Sequence, residues 1–275
     1  MNTTKKILLV GGQGAMGKMF QYFLSKDSSY LVSVFEKDDW NTPNTIEQQD
    51  IVLITTPIHI TESIIKKVCQ YISKDTVLAD FTSIKRNPLS CMLKHHQGPV
   101  VGLHPIFGPL IDSANEQVIV CCEGRYPEKY NWFIKDIANF GFDIVHMSAQ
   151  EHDEAMDFIQ GIEHFSTYCL GKFLQEKKVD INSLRKISSP TYKFELNIVG
   201  RLFNQKPELY ADIIMSDEER IETINEFVKS IQNQNKDIQS QSREKFIQEF
   251  ESIKNWMGDF TEKAYAESNN MLNNK

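Results

Sequence analysis

Six residues, Gly12-Gln13-Gly14-Ala15-Met16-Gly17, carry a spacing that suits phosphate binding. They follow a β-branched apolar run, Ile7–Val10, and precede a helical run containing Met19, Phe20 and Phe23. In that setting Gly12 permits a tight turn and Gly14 lets a pyrophosphate approach the backbone. Gly17 lets the helix pack close to the strand, and the helix N-terminus favours the negative charge. A second apolar run ends at Phe35-Glu36, about 20 residues further on, where a carboxylate accepts the ribose hydroxyls of NAD and repels the 2′-phosphate of NADP. NAD is therefore the expected cofactor, although the neighbouring Lys37 opposes this slightly. The bland alternative is a glycine turn without a ligand, which strand, helix and acid in register disfavour.

A base belongs beside such a crevice. Thr55-Thr56-Pro57 closes a third apolar run, and its backbone is expected to face the space beyond the carboxyl ends of the strands. Two later runs end in Ser83-Ile84-Lys85 and in His104-Pro105-Ile106-Phe107-Gly108-Pro109. His104, held at a strand end before a Pro/Gly turn, suits general-base work, since an imidazole titrates near neutrality. Ser83 can orient it or bind the same hydroxyl. Lys193, Asn197 and Arg201 recur at four-residue steps, placing two cations roughly 12 Å apart along a helix; such a pair suits a dianion, and a solvated charged face is the alternative. His164 and Tyr168, one turn apart, can line the same cleft. His95, His96 and His152 read as loop or helix-surface residues, and no spacing suggests a metal site.

The elements that must position these groups follow from periodicity. Short runs at Ile7–Val10, Leu31–Phe35, Asp50–Thr55, Thr76–Asp80, Val100–Leu103, Val118–Cys122 and Phe142–His146 alternate with helical stretches. That is the pattern of an α/β, Rossmann-type domain with a mostly parallel sheet, expected over residues 1–147. An all-helical domain is expected over 148–275. Ser148-Ala149-Gln150-Glu151 fits a capping box, opening a long helix that buries Met156, Ile159, Ile162 or Glu163, Phe165 and Cys169. Ser189-Pro190 reads as a second helix start. Further helices are expected over Pro207–Met215, Asp217–Ile231 and Arg243–Leu272, with Gln232–Gln241 as an exposed connection.

Composition excludes other classes. With 41% hydrophobic and 24% charged residues, the chain is neither disordered nor rich enough in apolar runs to span a bilayer. Met1–Lys6 lead directly into a short apolar strand rather than a secretory core, so a cytoplasmic protein is expected. A net charge of -7 gives no basic surplus for nucleic acid. Five cysteines without a C-x-x-C pair suggest small buried hydrophobes rather than disulfides.

From about Ile7 to Asn270 the chain resembles the prephenate dehydrogenases of tyrosine biosynthesis, especially the enterobacterial-type enzymes. The resemblance is carried by Gly11–Gly17, by Val101–Pro109, and by Phe158-Ile159-Gln160 with His164-Phe165. Val199–Phe203 followed by Tyr210–Met215 completes it. It implies a dinucleotide domain, a helical dimerisation domain with substrate between the two, and NAD-dependent oxidative decarboxylation of prephenate to 4-hydroxyphenylpyruvate. By resemblance His104 is the catalytic histidine and Arg201 binds a substrate carboxylate, while Lys85 and Tyr210 belong to the active site. His164 is linked to substrate side-chain binding and to inhibition by L-tyrosine. Lys193 departs from the arginine of close relatives, so bidentate carboxylate binding is not expected there. Those relatives also carry an N-terminal chorismate mutase domain, whereas only six residues here precede the first expected strand. An arogenate dehydrogenase and a non-catalytic NAD-binding regulator are the other readings.

Overall fold

The computed structural model describes residues 4–273; residues 1–3 and 274–275, which the two expected domains and the reading of Met1–Lys6 include in part, lie outside the described residues. The chain divides into two compact units, one reaching Met156 and the other starting at Asp157.

In the first unit seven strands form one sheet: β1 (Lys5–Val10), β2 (Tyr30–Phe35), β3 (Ile51–Ile54), β4 (Val77–Asp80), β5 (Val100–Pro105), β6 (Val118–Arg125) and β7 (Asp143–His146). Their spatial order is β2-β1-β3-β4-β5-β6-β7, parallel throughout except between β5 and β6. All seven expected strands are present. Alternate residues bury both faces of the sheet, as helix-covered parallel sheets require. Ile7, Leu9, Ile51, Leu53, Val101 and Leu103 meet α1 (Ala15–Ser25) and α4 (Asn131–Asn139) on one side. Leu8, Val10, Val52, Ile54, Leu78 and Val100 meet α2 (Ile58–Val68) and α3 (Arg86–His95) on the other. The helix α5 (Ala149–Met156) packs against α3 and β6. Cys121 and Cys122 sit in β6 on opposite faces, where burial pushes both thiols up to about 12.

Because chain order reverses at β1, the carboxyl ends of β1, β2 and β3 lie side by side: Val10 is level with both Phe35 and Ile54. Asp80 is level with Gly102, so His104 stands two residues beyond the end of β4. This edge is the switch point at which open α/β sheets bind ligands.

The expected capping box closes both ways at the start of α5. Ser148 N–H donates to Glu151 Oε2 at 2.8 Å, and Glu151 N–H donates to Ser148 Oγ at 3.1 Å. The helical chain continues as a π segment, Asp157–Ile162, and then as α6 (Glu163–Glu176). The i→i+5 bonding of a π turn takes in an extra residue, and this corrects the expected core stripe. Met156 is buried, but Ile159 is exposed, and Asp157 and Gly161 take the inward positions. Cys169 is exposed for the same reason rather than buried.

The second unit continues with α7 (Ile181–Lys186), α8 (Pro190–Phe203), α9 (Pro207–Ile214), α10 (Glu218–Gln239), α11 (Arg243–Met257) and α12 (Phe260–Asn273). Ser189 caps α8 as expected, its Oγ accepting from Tyr192 N–H at 3.2 Å. The expected connection over Gln232–Gln241 is instead mostly the last turns of α10. Glutamine and lysine are good helix formers, and the chain turns only at Gln241, whose φ is 55°. The single helix expected over Arg243–Leu272 is interrupted at Gly258, where a φ of 55° ends α11. At the centre of the unit, fully buried Arg220 on α10 donates from Nε to Asp157 at 2.9 Å and from Nη1 to the Ile213 carbonyl at 2.7 Å. A β-carbon at Gly161 would stand 3.2 Å from the Arg220 stem. Among the described residues no helix is long and apolar enough to cross a membrane.

Candidate active site

The glycine loop joins β1 to α1. The backbone that only glycine adopts readily falls on Gly11, with φ of 81°, rather than on Gly12. Gly12 is needed for space, since a β-carbon there would approach Leu9 Cβ and Val34 Cγ2 at 2.9 Å. Gly17 has the strictest role: a β-carbon would stand 2.6 Å from the Gly12 backbone, so the helix could not lie so close to the turn. Gly14 caps α1 without any side-chain hydrogen bond, and no acidic residue occupies the first turn. The first turn of α1, with Ala15 exposed and Met16 half-buried, therefore offers amide donors and the positive end of a helix dipole, while Gly14 N–H is taken by the Gly11 carbonyl at 3.0 Å. Glu36 Oε1 accepts from Gln13 N–H at 2.7 Å, which sets a carboxylate at the rim of this cradle. Thr55 Oγ1 donates to the Val10 carbonyl at 3.1 Å, and Thr56 Oγ1 lies 3.0 Å from Thr61 Oγ1; these bonds fix the turn into α2 at Pro57. The residues present fit a dinucleotide: first-turn amides of α1 for a pyrophosphate and a carboxylate for a ribose.

Further along the same edge lies a chain of titratable groups. His104, in β5 and only 2% exposed, has Nδ1 2.7 Å from His152 Nε2, with the two rings 5.0 Å apart and edge-to-face. His152 Nδ1 lies 2.6 Å from Asp153 Oδ1. Asp153 also accepts from Lys85 N–H at 2.8 Å, Arg86 N–H at 2.9 Å and Arg86 Nε at 3.2 Å. Those two amides begin α3, so the carboxylate acts as a cap supplied from a distant helix. Burial holds the His152 pKa below its ordinary value. Burial alone would raise that of Asp153, but the bonds from His152 and from the Arg86 and Lys85 amides outweigh it and carry it lower.

This arrangement corrects the reading of His152 as a surface residue: its side chain is fully buried. His96 is corrected likewise, being buried with Nε2 2.8 Å from the Thr76 carbonyl, while its neighbour His95 is exposed. Lys85 is also placed differently from a substrate ligand. Its ammonium has no exposed surface, pairs with Asp80 and donates to the Leu103 carbonyl at 2.8 Å, so it braces β4 against β5 immediately before His104. Ser83 is half-buried in the loop after β4.

In the second unit α8 carries half-buried Lys193 and exposed Arg201. His164, on α6, is half-buried with Nδ1 hydrogen-bonded to Glu163, and its ring meets that of Tyr210 edge-to-face at 4.9 Å. Burial raises the Tyr210 pKa, with Glu163 adding to this and the Arg201 guanidinium opposing it. Glu163, His164, Arg201 and Tyr210 thus form one neighbourhood. Tyr168 instead packs on Phe203, ring centres 6.1 Å apart. Sequence reasoning missed His152, Asp153, Asp80 and Arg220. An adjacent His-Asp pair one turn after a cap was the available signal for the first two.

Comparison with known proteins gives two family matches. Residues 31–123 match the nucleotide-binding domain of prephenate dehydrogenase, and residues 148–252 match the prephenate dehydrogenase dimerization domain. The chain is 39% identical to the T-protein of Enterobacter agglomerans over 98% of its length and 72% of the relative. It is 38% identical to the T-protein of Haemophilus influenzae, covering 97% of this chain and 71% of that one. Its fold is similar to that of the crystal structure of prephenate dehydrogenase from A. aeolicus in complex with hydroxyphenyl propionate and NAD+. That match has a TM-score of 0.73 at 18% identity and covers 91% of this chain and 96% of the other.

Proposed function

This chain belongs to the prephenate dehydrogenase family, and from that premise we propose that it converts prephenate to 4-hydroxyphenylpyruvate by NAD-dependent oxidative decarboxylation. The observation that carries the reading in this chain is the placing of the glycine loop, Glu36 and His104 along one carboxyl edge of the sheet. Gly12, Gln13, Gly14, Ala15, Met16 and Gly17 hold the pyrophosphate, Glu36 the adenosine ribose, and Thr56-Pro57 border the nicotinamide. When bound, NAD supplies the acceptor for a hydride.

The protein's part is to move one proton and to orient a dianion. His104 accepts the proton of the C4 hydroxyl as the C4 hydride departs and a carbonyl forms. The bond from C1 to its carboxylate then breaks, carbon dioxide leaves, and the electron pair enters the ring and reaches the C4 oxygen. His104 returns its proton to that oxygen, so the imidazole ends neutral, as it began. Aromatisation drives the step, and alignment is what the enzyme must provide. Ser83 orients the hydroxyl, and Arg201 holds the ring carboxylate, for which its planar fork is suited. Lys193 or His164, with Tyr210, lies near the pyruvyl side chain. L-tyrosine, which shares the product's phenol ring, is a candidate inhibitor at the same groups. The helical unit is the dimer-forming part: Ile238, Phe246, Phe250 and Ile253 are large, apolar and exposed on α10 and α11.

The test is absorbance at the NADH band after mixing protein, NAD and prephenate, with arogenate in parallel. NADH formed from prephenate supports the reading. NADH formed from arogenate alone, or from neither, overturns it.

A further inference from the structure

The buried chain His104–His152–Asp153 has a proton order that its chemistry dictates. Asp153, as a carboxylate, can only accept, and three N–H groups besides His152 already point at it. His152 Nδ1 must therefore carry a proton and donate it. A neutral His152 then has its lone pair on Nε2, and the atom 2.7 Å away, His104 Nδ1, must be the donor. That leaves the lone pair of His104 on Nε2.

We propose that His152, oriented by Asp153, is a positioning residue that locks His104 in the Nδ1–H tautomer, so that Nε2 is the basic atom presented to the substrate hydroxyl. This deepens the reading above and rests on it. A structural role alone would leave the choice of residue open. A buried imidazole is costly unless both nitrogens are satisfied, and here the two bonds it makes run in series from a carboxylate to the reacting histidine. The groups facing this chain are Asp80 and Lys85 from the end of β4 and the loop after it, Arg86 from α3, Cys122 from β6 and Asp153 from α5. Lys85 and Asp80 neutralise one another, so Asp153 is the anion that a protonated His104 senses through His152. When His104 takes the hydroxyl proton on Nε2, its bond to His152 becomes charge-assisted and strengthens. When that proton returns to the product oxygen, the chain resets with no net transfer.

Three measurements test this. In protein labelled with 15N-histidine and free of substrate, His104 is expected to show a protonated Nδ1 and a bare Nε2. In His152→Phe that preference is lost, and kcat for prephenate falls roughly 10–10²-fold with KM for prephenate and NAD within about twofold. His152→Gln, whose amide can accept from His104 and donate to Asp153, restores kcat to within about threefold of wild type. If His152→Phe does not fold, the wild-type tautomer and the glutamine variant still decide the matter. Wild-type protein that reduces NAD with prephenate but carries the His104 proton on Nε2 overturns the tautomer lock alone. So does a folded His152→Phe with unchanged kcat, or a folded His152→Gln with kcat more than about tenfold below wild type. Wild-type protein that leaves NAD unreduced overturns the functional reading, and with it the catalytic meaning of the chain.

Discussion

Removing the charge of Asp157 isolates a cation in the centre of the helical unit. Arg220 has no exposed surface, and the Asp157 side chain is only 9% exposed. The pair is joined at 2.9 Å, and among the described residues Arg220 Nη2 has no hydrogen-bond acceptor. Asp157→Asn is nearly isosteric, so no cavity opens, and the loss is that of one partner in a buried ion pair, about 3–5 kcal/mol. The unit holds roughly half of the chain, and at about 4 °C per kcal/mol for a domain of this size the melting temperature should fall by about 12–20 °C. Urea unfolding followed by far-ultraviolet circular dichroism measures the loss as a lower midpoint at unchanged slope. Replacing both partners, Asp157→Leu with Arg220→Met, should recover most of the stability, because an apolar pair of similar volume does not require charge to be buried. A loss under about 1 kcal/mol for Asp157→Asn would refute the assignment of Arg220 as a cation held by this carboxylate.

Four further outcomes follow from the geometry. His104→Asn should retain prephenate binding and lower kcat by about 10²–10⁴-fold, measured at saturating substrate. Arg201→Gln should raise the KM for prephenate more than it lowers kcat, as loss of ground-state binding does; a change in kcat alone would contradict that role. Glu36→Ser should narrow the preference for NAD over NADP, read from the ratio of the two kcat/KM values, because the repelling carboxylate is gone. His96 and His152 both have folded-state pKa values held below 6.5, chiefly by burial. The unfolded chain then binds more protons as pH falls through 6.5, so the stability they contribute is present above that pH and is lost down to their folded values. Urea midpoints measured across that window should fall with acid, and less steeply in His96→Gln.

The sheet is legible because its central strands β1, β3 and β4 carry short apolar runs, and the glycine spacing marks the cradle. Helix starts were legible where a serine and its partner lie within four residues, as at Ser148 and Ser189. What failed depended on neighbours distant in sequence. His152 follows an exposed cap on a polar stretch, and only the packing of α5 against α3 and β6 buries it. Lys85 is a substrate ligand by resemblance, whereas its ammonium turns inward because Asp80 and the Leu103 carbonyl are there to receive it. The π segment has no signature in the spacing of apolar residues, and one additional residue in that turn displaced the expected stripe at Ile159 and Cys169.

Asp153 serves two masters at once. Oδ1, the oxygen that meets His152, also accepts from Lys85 N–H, and Oδ2 accepts from Arg86 N–H, so the imidazole pair borrows its rigidity from a helix start rather than from the surrounding loops. An alteration that loosens that junction disarms the enzyme and frays the domain in a single event.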